Sequence, residues 1–149
     1  MLLALFGGYF LFWLLVQGDI EYVLPDGFTG PFIIVVADDG ADAVTDRWKY
    51  TVVTVPQSGK VTIRDDSFLH ESSFVKARYS NGERIPIGGI DTETSFALWM
   101  GGWSSGQNLV KRLKYGPAHK YFVGSRSEFE EFDFHNFMAE PMETSNSKR

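Results

Sequence analysis

The sequence predicts a mainly β protein, a compact β-sandwich preceded by one hydrophobic helix and closed by a short C-terminal helix. Two observations carry the sandwich. Short runs rich in Val, Ile, Thr, Tyr and Phe recur at spacings of roughly 8 to 12 residues, with Gly, Pro and Asn-Gly turn signals between them. No alternation of strands with long helical patterns interrupts them, so nothing points to βαβ units. A third observation carries the leading helix: residues 1–16 read MLLALFGGYFLFWLLV, without a charged side chain.

The N-terminal segment comes first. A membrane-spanning helix needs about 20 apolar residues, with a lower limit of roughly 17. Residues 1–18 are close to that limit and are expected to be an uncleaved anchor. A cleaved signal peptide is the alternative, because Val16 and Gly18 fit a small-residue cleavage pattern before Asp19. Gly7 and Gly8 would admit a second helix at close range. Tyr9, Phe10, Phe12 and Trp13 complete an aromatic, partner-facing helix surface. Asp19, Glu21, Asp26, Asp38, Asp39, Asp42 and Asp46 all precede the first basic residue, Arg47. The positive-inside rule disfavours Lys and Arg outside but says little about acids. It is therefore mainly the signal-like character of the segment that gives the expected placement, a single pass of the cytoplasmic membrane with the body on the periplasmic or extracellular side.

Residues 19–139 are expected to form the β domain and residues 140–149, which have no periodicity, a disordered tail. Ile20 to Leu24 reads as a first strand. Pro25-Asp26-Gly27 turns it, since Pro fixes φ and Gly accepts a positive one. Phe32 to Ala37 is a continuous apolar run, which predicts a central strand buried on both faces, with Phe28 packed under the turn. Asp38 to Asp46 reads as a loop. Trp48 to Val55 is a strand ended by Pro56, and Val61 to Arg64 follows the Ser58-Gly59 turn. Ser73 to Tyr79 leads into Asn81-Gly82, the strongest short hairpin signal. Glu83 to Ile87 should return as an edge strand, because Pro86 cannot donate to a ladder. Thr94 to Met100 and Lys120 to Val123 complete the strands. Ser127-Glu128-Phe129-Glu130 matches a capping box opening one short helix with Phe129, Phe132 and Phe137 near one face. An immunoglobulin-like or transthyretin-like sandwich accommodates this pattern.

The stretch Tyr22-Val23-Leu24-Pro25-Asp26-Gly27-Phe28-Thr29-Gly30-Pro31 resembles a family of small bacterial exported domains of unknown function. Its members carry Tyr-x-Ile/Leu-Pro-x-Gly-Phe/Tyr-x-Gly just after a signal or lipoprotein segment. A second element, Val123-Gly124-Ser125-Arg126-Ser127-Glu128-Phe129, is similar to one near their C-termini. The resemblance implies a β-sandwich outside the cytoplasm and no activity, cofactor or catalytic residue. The chain has no cysteine to acylate, which leaves the N-terminal helix as the tether.

Composition excludes several functions. The formal net charge is -5 and the pI about 5.1, so no nucleic-acid partner is expected. The absence of cysteine removes disulfides, thiolate nucleophiles and Cys-ligated metals. Gly102-Trp103-Ser104-Ser105-Gly106 matches G-x-S-x-G, but the scaffold that motif needs is lacking. Asp38, Asp39, Asp42 and Asp46 do not have EF-hand spacing. His70, His119 and His135 stand apart in sequence, without zinc-site spacing, and Trp99 and Trp103 read as packing aromatics rather than a sugar platform. No catalytic residue, metal or cofactor is therefore expected. Lys111, Arg112, Lys114, Lys120 and Arg126 fall in a stretch from Gln107 to Arg126 that contains no acid, a candidate contact for lipid phosphates or a partner. The leading expectation is a non-enzymatic accessory subunit, anchored in the membrane and packed on other membrane-protein subunits, for example of a respiratory or photosynthetic complex. A secreted binding domain for carbohydrate or a cell-surface partner is the alternative, and a serine hydrolase using Ser104 the remote one.

Overall fold

The computed structural model describes residues 19–37, 40, 44–47, 50–71, 74–89, 95–104 and 118–139. Nine strands and three short helices lie among them. The strands are β1 (Asp19–Leu24), β2 (Gly30–Val36), β3 (Val44–Arg47), β4 (Tyr50–Thr54), β5 (Lys60–Ile63), β6 (Phe74–Tyr79), β7 (Arg84–Ile85), β8 (Ala97–Ser104) and β9 (Ala118–Gly124). The helices are α1 (Ser67–Glu71), α2 (Arg126–Glu131) and α3 (Phe134–Ala139).

The strands form two mixed sheets, ordered β3-β4-β1-β6-β7 and β5-β2-β9-β8. β1 is flanked on both sides by parallel neighbours, β4 and β6, and β2 runs parallel to β5. Parallel neighbours arise where the chain crosses to the other sheet between one strand and the next, as it does after β1, β4 and β5. The five residues 25–29 carry the chain from β1 to β2, and 55–59 carry it from β4 to β5. Gly59 makes the second crossing possible. Its φ is +69°, and a Cβ there would lie 2.5 Å from the Pro31 carbonyl oxygen. The local hairpin after β6 forms as its Asn-Gly pair predicts, with Gly82 at φ +96°.

One core joins the facing sheets. Ile20, Tyr22, Leu24, Val53, Ala77 and Tyr79 from the five-stranded sheet meet Phe32, Ile34, Val61, Ile63, Tyr121 and Val123 from the four-stranded one. Phe32 and Tyr121 are cross-strand partners, so their rings stack at 4.8 Å and 10°. Phe28 is buried beneath the first turn, where its carbonyl accepts from Tyr79 Oη at 3.1 Å. The alternate residues of β2, Ile33 and Val35, face the opposite way and pack with Ala118 and Met138. Both faces of β2 are therefore buried, as its unbroken apolar run requires.

Helices α2 and α3 form a third layer on the outside of the four-stranded sheet. Phe129, Phe132 and Phe134 cover Ala97, Trp99 and Phe122, while Trp99 Nε1 donates to the Gly124 carbonyl at 2.8 Å. The outer face of the five-stranded sheet carries charge instead. Lys76 pairs with Asp19 at 2.8 Å and Arg78 with Glu21 at 3.1 Å. A concavity of about 520 Å³ lies over Glu21, Lys76, Arg78 and Arg84 on this face.

Several expectations change. Strand β3, Val44–Arg47, takes in the end of the stretch read as a loop, Asp38 to Asp46, and pairs with β4. The helix α1 had no predicted counterpart. The single C-terminal helix is two helices, because Phe132 turns extended at ψ 127° and Asp133 starts a second one by accepting from the His135 and Asn136 amides. The capping box sits two residues earlier than Ser127, with Ser125 as N-cap and Glu128 as its reciprocal partner. Residues 1–18, with Gly7, Gly8, Tyr9, Phe10, Phe12 and Trp13, lie outside the described residues, as does the tail 140–149. Among the described residues, no helix is long and apolar enough to cross a membrane.

Candidate functional site

Strand directions gather the chemistry-bearing residues at one end of the molecule. β1 begins at Asp19, and its parallel neighbours β4 and β6 begin beside it at Tyr50 and Phe74. β2 runs back after the turn and finishes at Val36, alongside Ile63 at the end of β5. β9 starts at the same end, with Ala118 opposite Val35, and β8 finishes there, with Ser104 opposite Ala118. The chain leaving β5 must then cross to β6 at this end, and α1 lies on that crossing.

The crossing is pinned at each step. Arg64 Nε donates to the Gly40 carbonyl at 3.1 Å. Asp65 caps the start of α1, accepting from the Ser67 amide at 2.9 Å and the Ser67 hydroxyl at 2.8 Å. Those bonds hold the Asp65 carboxyl below its usual range. The Asp66 carbonyl accepts from the Leu69 amide at 2.9 Å, which closes the first turn. Phe68 and Leu69 pack against the inter-sheet core. With that face turned inward, Asp66 and His70, four residues apart, come together on another.

His119 arrives from β9. Its neighbour across the ladder is Ile34, whose side chain faces the inter-sheet core, so His119 points to the same side. It is 8% exposed, the buried polar residue of the described core. His119 Nε2 lies 3.0 Å from Asp66 Oδ2, and His70 Nε2 lies 3.2 Å from the same oxygen. The two imidazole rings are 5.4 Å apart. Each of the three residues offers a ligand atom within 4.8 Å of the others.

An ionised carboxylate only accepts hydrogen bonds, so both rings present Nε2–H to it. Burial pushes the Asp66 carboxyl up, but the bonds from His119 and His70 and their nearby rings outweigh it and leave the group below its usual value. The cluster holds α1 against β9 of the four-stranded sheet. Its donor set, two imidazoles and one carboxylate, is also one that binds metal ions. Sequence reading treats His70 and His119 as isolated; the fold brings them together. The i, i+4 spacing of Asp66 and His70 was the available signal, and the third member, 53 positions from Asp66, gave none.

The other candidates fall elsewhere. Lys111, Arg112 and Lys114 lie outside the described residues, as do Asp38, Asp39 and Asp42. Lys120 points away from the inter-sheet core, its Nζ 5.9 Å above the centre of the Phe134 ring. Arg126 pairs with Glu130 at 2.8 Å on α2. Both are engaged within the chain rather than gathered in one patch. Ser104 is the last residue of strand β8, opposite Ala118. His135 is exposed on α3. Trp99 is a packing residue, stacked on Phe129 at 6.1 Å.

No protein-family model matches the chain. No curated protein matches it either. Among solved structures, the chain is similar to a crystal structure described as "Putative Lipoprotein from Bacillus anthracis". The two share 16% identity over 89% of this chain and 85% of that one, with a TM-score of 0.43.

Proposed function

We propose that the chain is a non-enzymatic, membrane-tethered accessory domain that sits outside the cytoplasm and docks on other membrane proteins through its Asp19 end. One observation carries this reading. Residue 19, the first after the apolar segment, is already the first residue of β1, the middle strand of its sheet, hydrogen-bonded on both sides. In the sequence only Gln17 and Gly18 stand between the apolar run 1–16 and the first strand. A helix inserted in a membrane would hold this end of the domain against the surface, with its orientation restricted.

The composition of that end agrees. Phe74 stands directly beside Asp19 in the ladder and is 61% exposed. An exposed aromatic next to an anchor suits an interfacial or partner contact. The segment between β8 and β9 opens and closes at this end too, and it contains Lys111, Arg112 and Lys114. The reading includes the sandwich description of the fold and the resemblance carried by Tyr22 to Pro31. The anchor itself is short, and a short span gains from protein neighbours.

The test is extraction of the full chain from native membranes in mild detergent, with intact-mass analysis of everything eluted. The expected result is a chain that keeps residues 1–18 and elutes in fixed stoichiometry with membrane proteins. A species beginning at Asp19, found alone in the soluble fraction, contradicts the tether and favours a secreted binding domain.

A further inference from the structure

We infer that Asp66, His70 and His119 form a binding site for a first-row divalent transition-metal ion of the zinc class. The donors are the right type. Neutral imidazole suits zinc, copper, nickel and iron, and one carboxylate adds charge, whereas calcium and magnesium prefer shells made of oxygen. With no cysteine in the chain, histidine and carboxylate are the donors available for such an ion.

The carboxylate oxygen is also at the right distance from each imidazole nitrogen, and the three ligand atoms all lie within 4.8 Å of one another. Zinc bonds of about 2.0 to 2.1 Å in a tetrahedral shell put neighbouring ligand atoms about 3.3 Å from each other. Asp66 Oδ2 is 3.0 Å from one Nε2 and 3.2 Å from the other. Both rings present the same nitrogen to the same oxygen, so the three donors already converge. Each neutral ring can move its proton to Nδ1 and release Nε2 to a metal, with no net change in protonation. Small side-chain rotations would then place the ion between the three atoms.

The surroundings fit a three-ligand site with an open position. His119 is nearly buried, with 10% of its side chain exposed, Asp66 has 21%, and His70 has 54%. The ion would be held from below by β9 and reached by solvent past His70. A single Asp–His bond would be enough to pin α1 to β9; the second histidine, at the surface, is what a structural pin does not need. The site stands independently of the tether.

The test uses the full chain in mild detergent, prepared without a histidine tag, stripped by a chelator and titrated with Co²⁺ as a spectroscopic stand-in for Zn²⁺. The expected result is saturation at one equivalent, with visible d–d absorption of a low-coordinate ion. Asp66→Asn and His70→Ala should each weaken binding by at least about tenfold, since even loss of an outer-shell partner of a metal site costs that much. His135→Ala should leave it unchanged. His70 is exposed enough that its alanine variant folds, and far-UV circular dichroism checks this. Absence of saturable Co²⁺ binding, or binding that keeps its affinity in either Asp66→Asn or His70→Ala, overturns the inference.

Discussion

Tyr22 Oη donates a hydrogen bond of 2.7 Å to Tyr121 Oη across the interior, joining the central strand of one sheet to a central strand of the other. The residues are 99 positions apart, and their rings lie 5.0 Å from each other. The pair places two hydroxyls in an apolar core, where each is satisfied by the other. Tyr22→Phe should destabilise the fold by about 1 to 3 kcal/mol, because it leaves a buried hydroxyl without its partner. The double variant Tyr22→Phe/Tyr121→Phe should recover much of that loss. Urea unfolding of the three variants measures the coupling.

The same pair sets an alkaline limit. Burial, with the neighbouring Tyr121, raises the Tyr22 phenol well above its usual value, and burial raises Tyr121 too. In the unfolded chain both ionise near about 10. The folded state keeps its protons longer, so the stability contribution is complete below about pH 10 and declines as pH rises above it. Phenolate absorbance should therefore show a fraction of the six tyrosines titrating late, together with unfolding. Titration of all six near the usual value, with the fold intact, would count against a buried pair.

Ser125→Ala should cost about 1 kcal/mol through loss of the α2 N-cap. Ser127→Ala should cost much less. The sequence pattern Ser-x-x-Glu occurs in two overlapping frames here, at 125–128 and 127–130. The chain uses the first, because Gly124 ends β9 and the helix begins immediately after Ser125. Thermal melts of the two variants separate the frames.

Residues 19–139 alone should fold. Asp19 is within β1, and the three-layer packing is complete by Met138. Far-UV circular dichroism of this fragment should give a β spectrum and a cooperative melt. A disordered spectrum would show that the segments outside it are part of the folding unit.

Much of this fold is legible in the sequence, residue by residue. Phe32 to Val36 announces a doubly buried strand because nothing polar interrupts it, and Asn81-Gly82 announces its hairpin. The parallel pairing of β1 with β4 and β6 is not legible, since register between distant strands is set by core packing that local patterns do not encode. β3 is missed because Val44-Thr45-Asp46-Arg47 is short and its pattern is dominated by neighbouring acids. The histidine–carboxylate cluster is half visible. Asp66 and His70 share a helical spacing, but His119 joins them only because β9 starts at the end of the molecule where β5 stops.

That end of the molecule is the core of the functional account, and site-specific photo-crosslinking tests it directly. A benzophenone side chain would replace Phe74 at the Asp19 end in one variant and Asn81 at the opposite end in another, in cells producing the full chain. The account predicts a discrete crosslink to a membrane protein from position 74 and none from position 81. A crosslink from position 81 alone, or from neither position, would contradict docking through the Asp19 end.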